Sequence, residues 1–74
     1  MAKLPRVTAR DIIAVLLKCD FVLSRQDGSH QIYKNTQGKR TTVPVHASKI
    51  LHPKIVKSIL RDADISVETL RELL

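Results

Sequence analysis

Cys19, His30, His46 and His52 are the side chains whose types could transfer protons or ligate a transition metal. Imidazole is the natural proton-transfer group near neutral pH. His30 directly follows Gly28-Ser29, and an imidazole just after a glycine turn is accessible to a phosphate. Taken alone, His30 reads as an ordinary strand-end histidine rather than a catalytic one. His46 stands after a short β-prone run and could be a second proton-transfer group or a solvated loop histidine. His52 precedes Pro53 and reads as structural. The four residues lack the close paired spacing of a zinc site. Ser29 and His30 do not make a nucleophile–base pair, because adjacent strand residues point to opposite faces. Asp62 and Asp64 could suggest a metal-dependent site, but they fall at a predicted helix end where Asp64 has a capping role. No cofactor and no metal are expected.

The chain has 74 residues and one cysteine. That length supports one small domain, residues 1–74, and is too short for a Rossmann fold, a barrel or a P-loop domain. A lone cysteine cannot form an internal disulfide and suits a reducing cytosol. The opening Met1-Ala2-Lys3-Leu4-Pro5 lacks an apolar signal segment, and the longest apolar run spans only Ile12 to Leu17. A cytoplasmic protein with no membrane span is therefore expected. Apolar residues form 43% of the chain, enough for a core. The net charge is +6, and it is uneven. Residues 1–61 hold twelve basic and three acidic side chains, whereas residues 62–74 hold one and four. A basic body of this kind points to a polyanion, nucleic acid above all.

The elements that must position these groups read as α-β-β-β-α with a short third helix. Thr8 and Asp11 resemble a capping box opening a helix from about Ala9 to Cys19. Strands are predicted over Phe21 to Gln26, Ser29 to Lys34 and Arg40 to Val45, with turns at Asp27-Gly28 and Asn35 to Gly38. Pro44 cannot donate to a ladder, so the third strand should be a sheet edge in a meander of order 1-2-3. Pro53 suits the first turn of a helix to Ala63, with Ile55, Val56, Ile59, Leu60 and Ala63 as its apolar face. Ser66 can cap a last helix carrying Val67, Leu70, Leu73 and Leu74.

Gly28-Ser29-His30 between two strands, Ile32-Tyr33, Val43-Pro44-Val45-His46, and Lys57-Ser58-Ile59-Leu60-Arg61-Asp62-Ala63 occur in this order from about Thr8 to Leu74. Together they resemble the HicA family of bacterial toxins. The resemblance implies an α+β fold like that of double-stranded-RNA-binding domains, a three-stranded antiparallel sheet with helices on one face. It implies a ribosome-independent mRNA endonuclease (an mRNA interferase) whose catalytic histidine falls on His30. It also implies a HicB-like antitoxin partner, through which alone the toxin would meet DNA. Three positions where the family usually has glycine are here Asp20, Lys54 and Asp64. Asp tolerates the left-handed conformation better than most residues, so Asp20 and Asp64 are compatible with helix ends.

RNA brings its own nucleophile, the 2′-hydroxyl, so cleavage needs a base, an acid and cations around the developing charge. Arg25, Lys34, Lys39 and Arg40 are expected on the meander near His30 as clamps on the RNA backbone, with Ser29 beside them. Lys54, Lys57 and Arg61 share a helix face and could contact phosphates or an acidic antitoxin. Phe21 reads as core, which leaves few stacking platforms and predicts weak sequence preference. Alternation places His30 on the face of Ile32 and opposite Tyr33. Were Ile32 in the core, His30 would point toward the helices and reach RNA only at the rim, unless a bulge near Gly28 intervened. A non-catalytic nucleic-acid-binding module of the same fold is the alternative, and a pure protein-interaction subunit a more distant one.

Overall fold

A computed structural model describes residues 3–46 and 48–74. Met1 and Ala2 of the opening segment, and Ala47, lie outside the described residues. The element order is α1 (Ala9–Lys18), β1 (Val22–Asp27), β2 (His30–Lys34), β3 (Arg40–Pro44), α2 (Pro53–Ala63) and α3 (Val67–Leu73). The capping box that opens α1 is complete. Thr8 Oγ1 accepts from the Asp11 amide at 3.2 Å, and Asp11 Oδ2 accepts from the Thr8 amide at 2.9 Å. Burial follows helical spacing, with Ala9, Ile12, Val15 and Leu16 inside. Leu17 falls off this stripe and is exposed.

Both longer helices end in the same way, and both use an aspartate to do it. Asp20 and Asp64 have φ of 69° and 58°. After α1, the Phe21 amide donates to the Leu16 carbonyl at 3.0 Å and the Asp20 amide to the Leu17 carbonyl at 3.2 Å. After α2, the Ile65 amide donates to Leu60 at 2.9 Å and the Asp64 amide to Arg61 at 3.2 Å. These are paired Schellman closures, with Phe21 packed into the core where the apolar contact of that motif belongs. Aspartate thus fills the positions expected of glycine without loss of the turn.

The sheet is an antiparallel meander of order β1-β2-β3, with Pro44 at the end of the β3 edge strand. The first turn is Gly28-Ser29, one residue later than the expected Asp27-Gly28, since Asp27 pairs with His30. Gly28 has φ of 61°, as the first position of a two-residue hairpin of the II′ kind requires. One face carries Tyr33, Thr41 and Val43 into a core shared with Val7, Ile12, Leu16, Val56, Ile59, Leu60 and Leu70. Ile55, expected on the buried face of α2, is exposed. It stands on the first turn of that helix, off the buried stripe of Val56, Ile59, Leu60 and Ala63.

The helices lie against β3 more than β1, so Leu23, opposite Tyr33 on the inner face of β1, remains exposed, while Val22, opposite Lys34, is exposed on the outer face. The uncovered part of the inner face is polar: Tyr33 Oη donates to Gln31 Oε1 at 2.7 Å, and Gln26 Nε2 donates to the Gly28 carbonyl at 3.2 Å. The segment before α1 is tied in by the Leu51 amide, which donates to the Val7 carbonyl at 2.8 Å.

Candidate active site

The core takes Tyr33 rather than Ile32, and this decides where His30 points. Residues directly opposite in the ladder share a face, so Tyr33 and Thr41 face the helices while Ile32 and Thr42 face away. His30, two residues before Ile32, therefore stands exposed on the face turned away from the core. Of the two arrangements the sequence left open, the one in which Ile32 draws His30 under the helices is not adopted. Ile32 is nevertheless only 8% exposed. It lies in a shallow depression with Ser24, Arg25, Lys34 and Arg40, where long basic side chains can cover apolar surface with their stems.

A bulge does occur, at Ser24 rather than near Gly28. Leu23 pairs with Tyr33, but Arg25 pairs with Ile32, so Ser24 has no partner. That extra residue reverses the alternation of the rest of β1. Arg25 and Asp27 thereby join His30 on the outer face, where regular pairing would have turned both inward. Lys34 and Arg40 are opposite one another on the same face. They lie four residues along β2 from His30, roughly 13 Å. Lys39 is elsewhere. It lines a separate depression of about 350 Å³ with Cys19, Phe21, Asp64 and Ser66.

His30 lines an open depression of about 510 Å³ together with Thr42, Pro44, His46, Lys54, Ile55, Ser58 and Ile59. β2 supplies His30, β3 Thr42 and the residue opposite His30, Pro44, the following loop His46, and the first two turns of α2 the rest. Lys54 thus reaches the His30 site, while Lys57 is exposed further along the helix and Ser29 lies in the hairpin turn. The α2 start is closed by His52, whose Nδ1 accepts from the Lys54 amide at 3.0 Å. The amides of Ile55 and Val56 both donate to the His52 carbonyl, at 2.9 and 3.1 Å. His52 is structural, and the cation offered to a ligand here is the Lys54 side chain rather than a row of free amides. Thr42 and Ser58 were not among the candidates from sequence. Ser58 follows Lys54 by four residues, a spacing that shares one helix face and was legible in principle.

Burial and the Asp20 carboxylate push the Cys19 thiol above its ordinary range, which suits an inert packing residue. Burial likewise raises the Tyr33 hydroxyl, and Tyr33 and Phe21 are both core, leaving neither for base stacking. Among the described residues no three His, Cys, Asp or Glu side chains gather closely enough to hold a metal ion. No helix among them is long and apolar enough to cross a membrane.

A comparison with curated proteins finds no match. The family described as HicA toxin of bacterial toxin-antitoxin matches residues 9–65, from the start of α1 to the turn after α2. That span takes in the hairpin carrying His30, the β3 end, His46 and all of α2. With the α-β-β-β-α-α architecture in place around it, the chain belongs to the HicA family of bacterial toxin–antitoxin toxins.

Proposed function

We propose that this toxin is an mRNA endonuclease that cleaves the RNA backbone at the His30 depression, with His30 as a general acid–base group. The observation that carries this reading is the exposed imidazole of His30 beside Lys54, on a face that also bears Arg25, Lys34 and Arg40. RNA needs only to have its 2′-hydroxyl deprotonated, its phosphate held and its 5′-oxygen protonated as it leaves. Lys54 and Arg25 flank His30 and hold the phosphates nearest the cut. Lys34 and Arg40 bind the backbone farther along β2, with Lys57 along α2, Ser29 at the hairpin and Lys39 at the periphery. Such contacts position the strand and carry little sequence information. With both aromatic residues in the core, recognition rests on backbone shape and charge.

The antitoxin that the family implies is, in this reading, a HicB-like protein that covers His30 in the cytoplasm. An acidic surface on it would be steered toward the basic body that RNA also uses.

The test is cleavage of a short end-labelled RNA by the purified protein, with and without a chelator. Cleavage that persists in chelator, leaves 5′-hydroxyl products and stops when the 2′-hydroxyl at the cut is replaced by hydrogen supports the reading. Binding of the same RNA with no cleavage would favour the non-catalytic nucleic-acid-binding module. Cleavage of the 2′-deoxy strand would refute the proposed chemistry.

A further inference from the structure

Cleavage by the 2′-hydroxyl needs proton transfer at two ends of one phosphate, and His30 supplies a single imidazole. The geometry points to His46 as the second proton-transfer group, paired with His30 across the scissile phosphate. This rests on the reading of the depression as an RNA-cleaving site.

Three observations bring the two together. Both line the same 510 Å³ depression. His30 is paired with Pro44, and the ladder continues one step beyond β3, where the Val45 amide donates to the Ser29 carbonyl at 2.7 Å. His46 follows directly on that last ladder residue, two positions past the partner of His30. Val45 also packs its side chain against the core, so the chain on which His46 sits is held from both sides. Two imidazoles lining one depression can flank one phosphate, each brought within hydrogen-bond reach, about 2.6–3.2 Å, of one of its oxygens.

The other polar groups in the depression suit the task poorly. Thr42 and Ser58 are alcohols, and Lys54 offers a point charge suited to holding a phosphate. His52 is engaged in the α2 cap. In the reaction, one imidazole takes the 2′-hydroxyl proton as the 2′-oxygen bonds to phosphorus. The P–O5′ bond breaks, and the other, as imidazolium, gives its proton to the departing 5′-oxygen. The products are a 2′,3′-cyclic phosphate and a 5′-hydroxyl. The charged groups around the pair are Asp27, opposite His30 on β1, and Lys54 from α2.

The experiment compares wild type, His30→Ala, His46→Ala and the near-isosteric His46→Gln on two RNAs. One has an ordinary linkage at the cut; the other has sulfur in place of the 5′-oxygen, a leaving group that departs without a proton. Circular dichroism melts establish that each variant is folded. On ordinary RNA both His46 variants should cleave 10²- to 10⁴-fold more slowly. On the sulfur-linked RNA, loss of the general acid should cost less than about tenfold, while loss of the base should cost as much as before. One histidine should therefore be rescued and the other not, and the pH–rate profile should lose one limb in each variant. Undiminished cleavage of ordinary RNA by folded His46→Ala and His46→Gln overturns the pair. Failure of the sulfur linkage to rescue either histidine also overturns it. Undiminished cleavage by His30→Ala would instead refute the underlying reading of the site.

Discussion

Replacing His30 with alanine separates catalysis from folding, because the structure predicts opposite sizes for the two effects. His30 is exposed on the face turned away from the core, opposite Asp27 and Pro44, and is not among the core residues. A surface substitution of this kind changes stability by no more than about 0.5 kcal/mol. For a domain of this size that moves the melting temperature by about 2–4 °C at most. Losing a proton-transfer group costs about 10²- to 10⁴-fold in rate, or about 2.7–5.4 kcal/mol of barrier at 1.36 kcal/mol per decade. The rate loss should therefore exceed the stability loss at least fivefold in energy. It should fall on kcat more than KM, since the proposed backbone contacts of Arg25 and Lys54 are left in place. The assay is a time course with a fluorophore–quencher RNA over a range of concentrations, alongside thermal melts of the same preparations. Cleavage by folded His30→Ala within about threefold of wild type would refute the catalytic assignment. A melting temperature lower by 10 °C or more would show that His30 is a structural residue misread as a chemical one.

Reversing charge in Lys54→Glu/Lys57→Glu should weaken RNA binding and lower the slope of log affinity against log salt by at least about 1.4, the value for two lost contacts to a single strand. An unchanged affinity and slope in filter binding would make this stripe a solvated face or an antitoxin contact. In a saturated complex with a HicB-like antitoxin, His30 should be protected from diethyl pyrocarbonate relative to the free toxin, and undiminished modification detected by mass spectrometry would exclude direct occlusion. Tyr33 contributes a pH dependence: burial raises its hydroxyl above the ordinary value of 10.0, so the folded state favours the neutral form. The unfolded chain ionises first as pH rises past about 10, and stability present below that pH is lost above it. Urea unfolding should therefore show wild type losing more stability between pH 9 and 11 than Tyr33→Phe, which itself costs about 1 kcal/mol at neutral pH through the lost bond to Gln31. Parallel curves for the two proteins would contradict the burial argument.

Local chemistry determined the elements, and sequence by itself reads local chemistry well. The Thr8–Asp11 box, Pro53 at the start of α2, Ser66 at the start of α3 and the Pro44 edge strand each depend on residues within a few positions of one another. The same is true of the aspartates that close α1 and α2 in the left-handed region, whereas Gly28-Ser29-His30 put His30 forward as a candidate only through the family resemblance. Faces are different, because they depend on what packs on either side. Ile32 and Tyr33 are both apolar enough to be core, and only the position of the helices against β3 sends Tyr33 inward and His30 out. The bulge at Ser24 has no turn residue to announce it, yet it alone moves Arg25 to the His30 face. Lys39 and His46 show the same limit in opposite directions. Lys39 is nine residues from His30 in sequence but lies at another depression; His46 is sixteen residues away and shares its site. Strand pairing and helix packing set those distances, and neither is encoded at any single position of the chain.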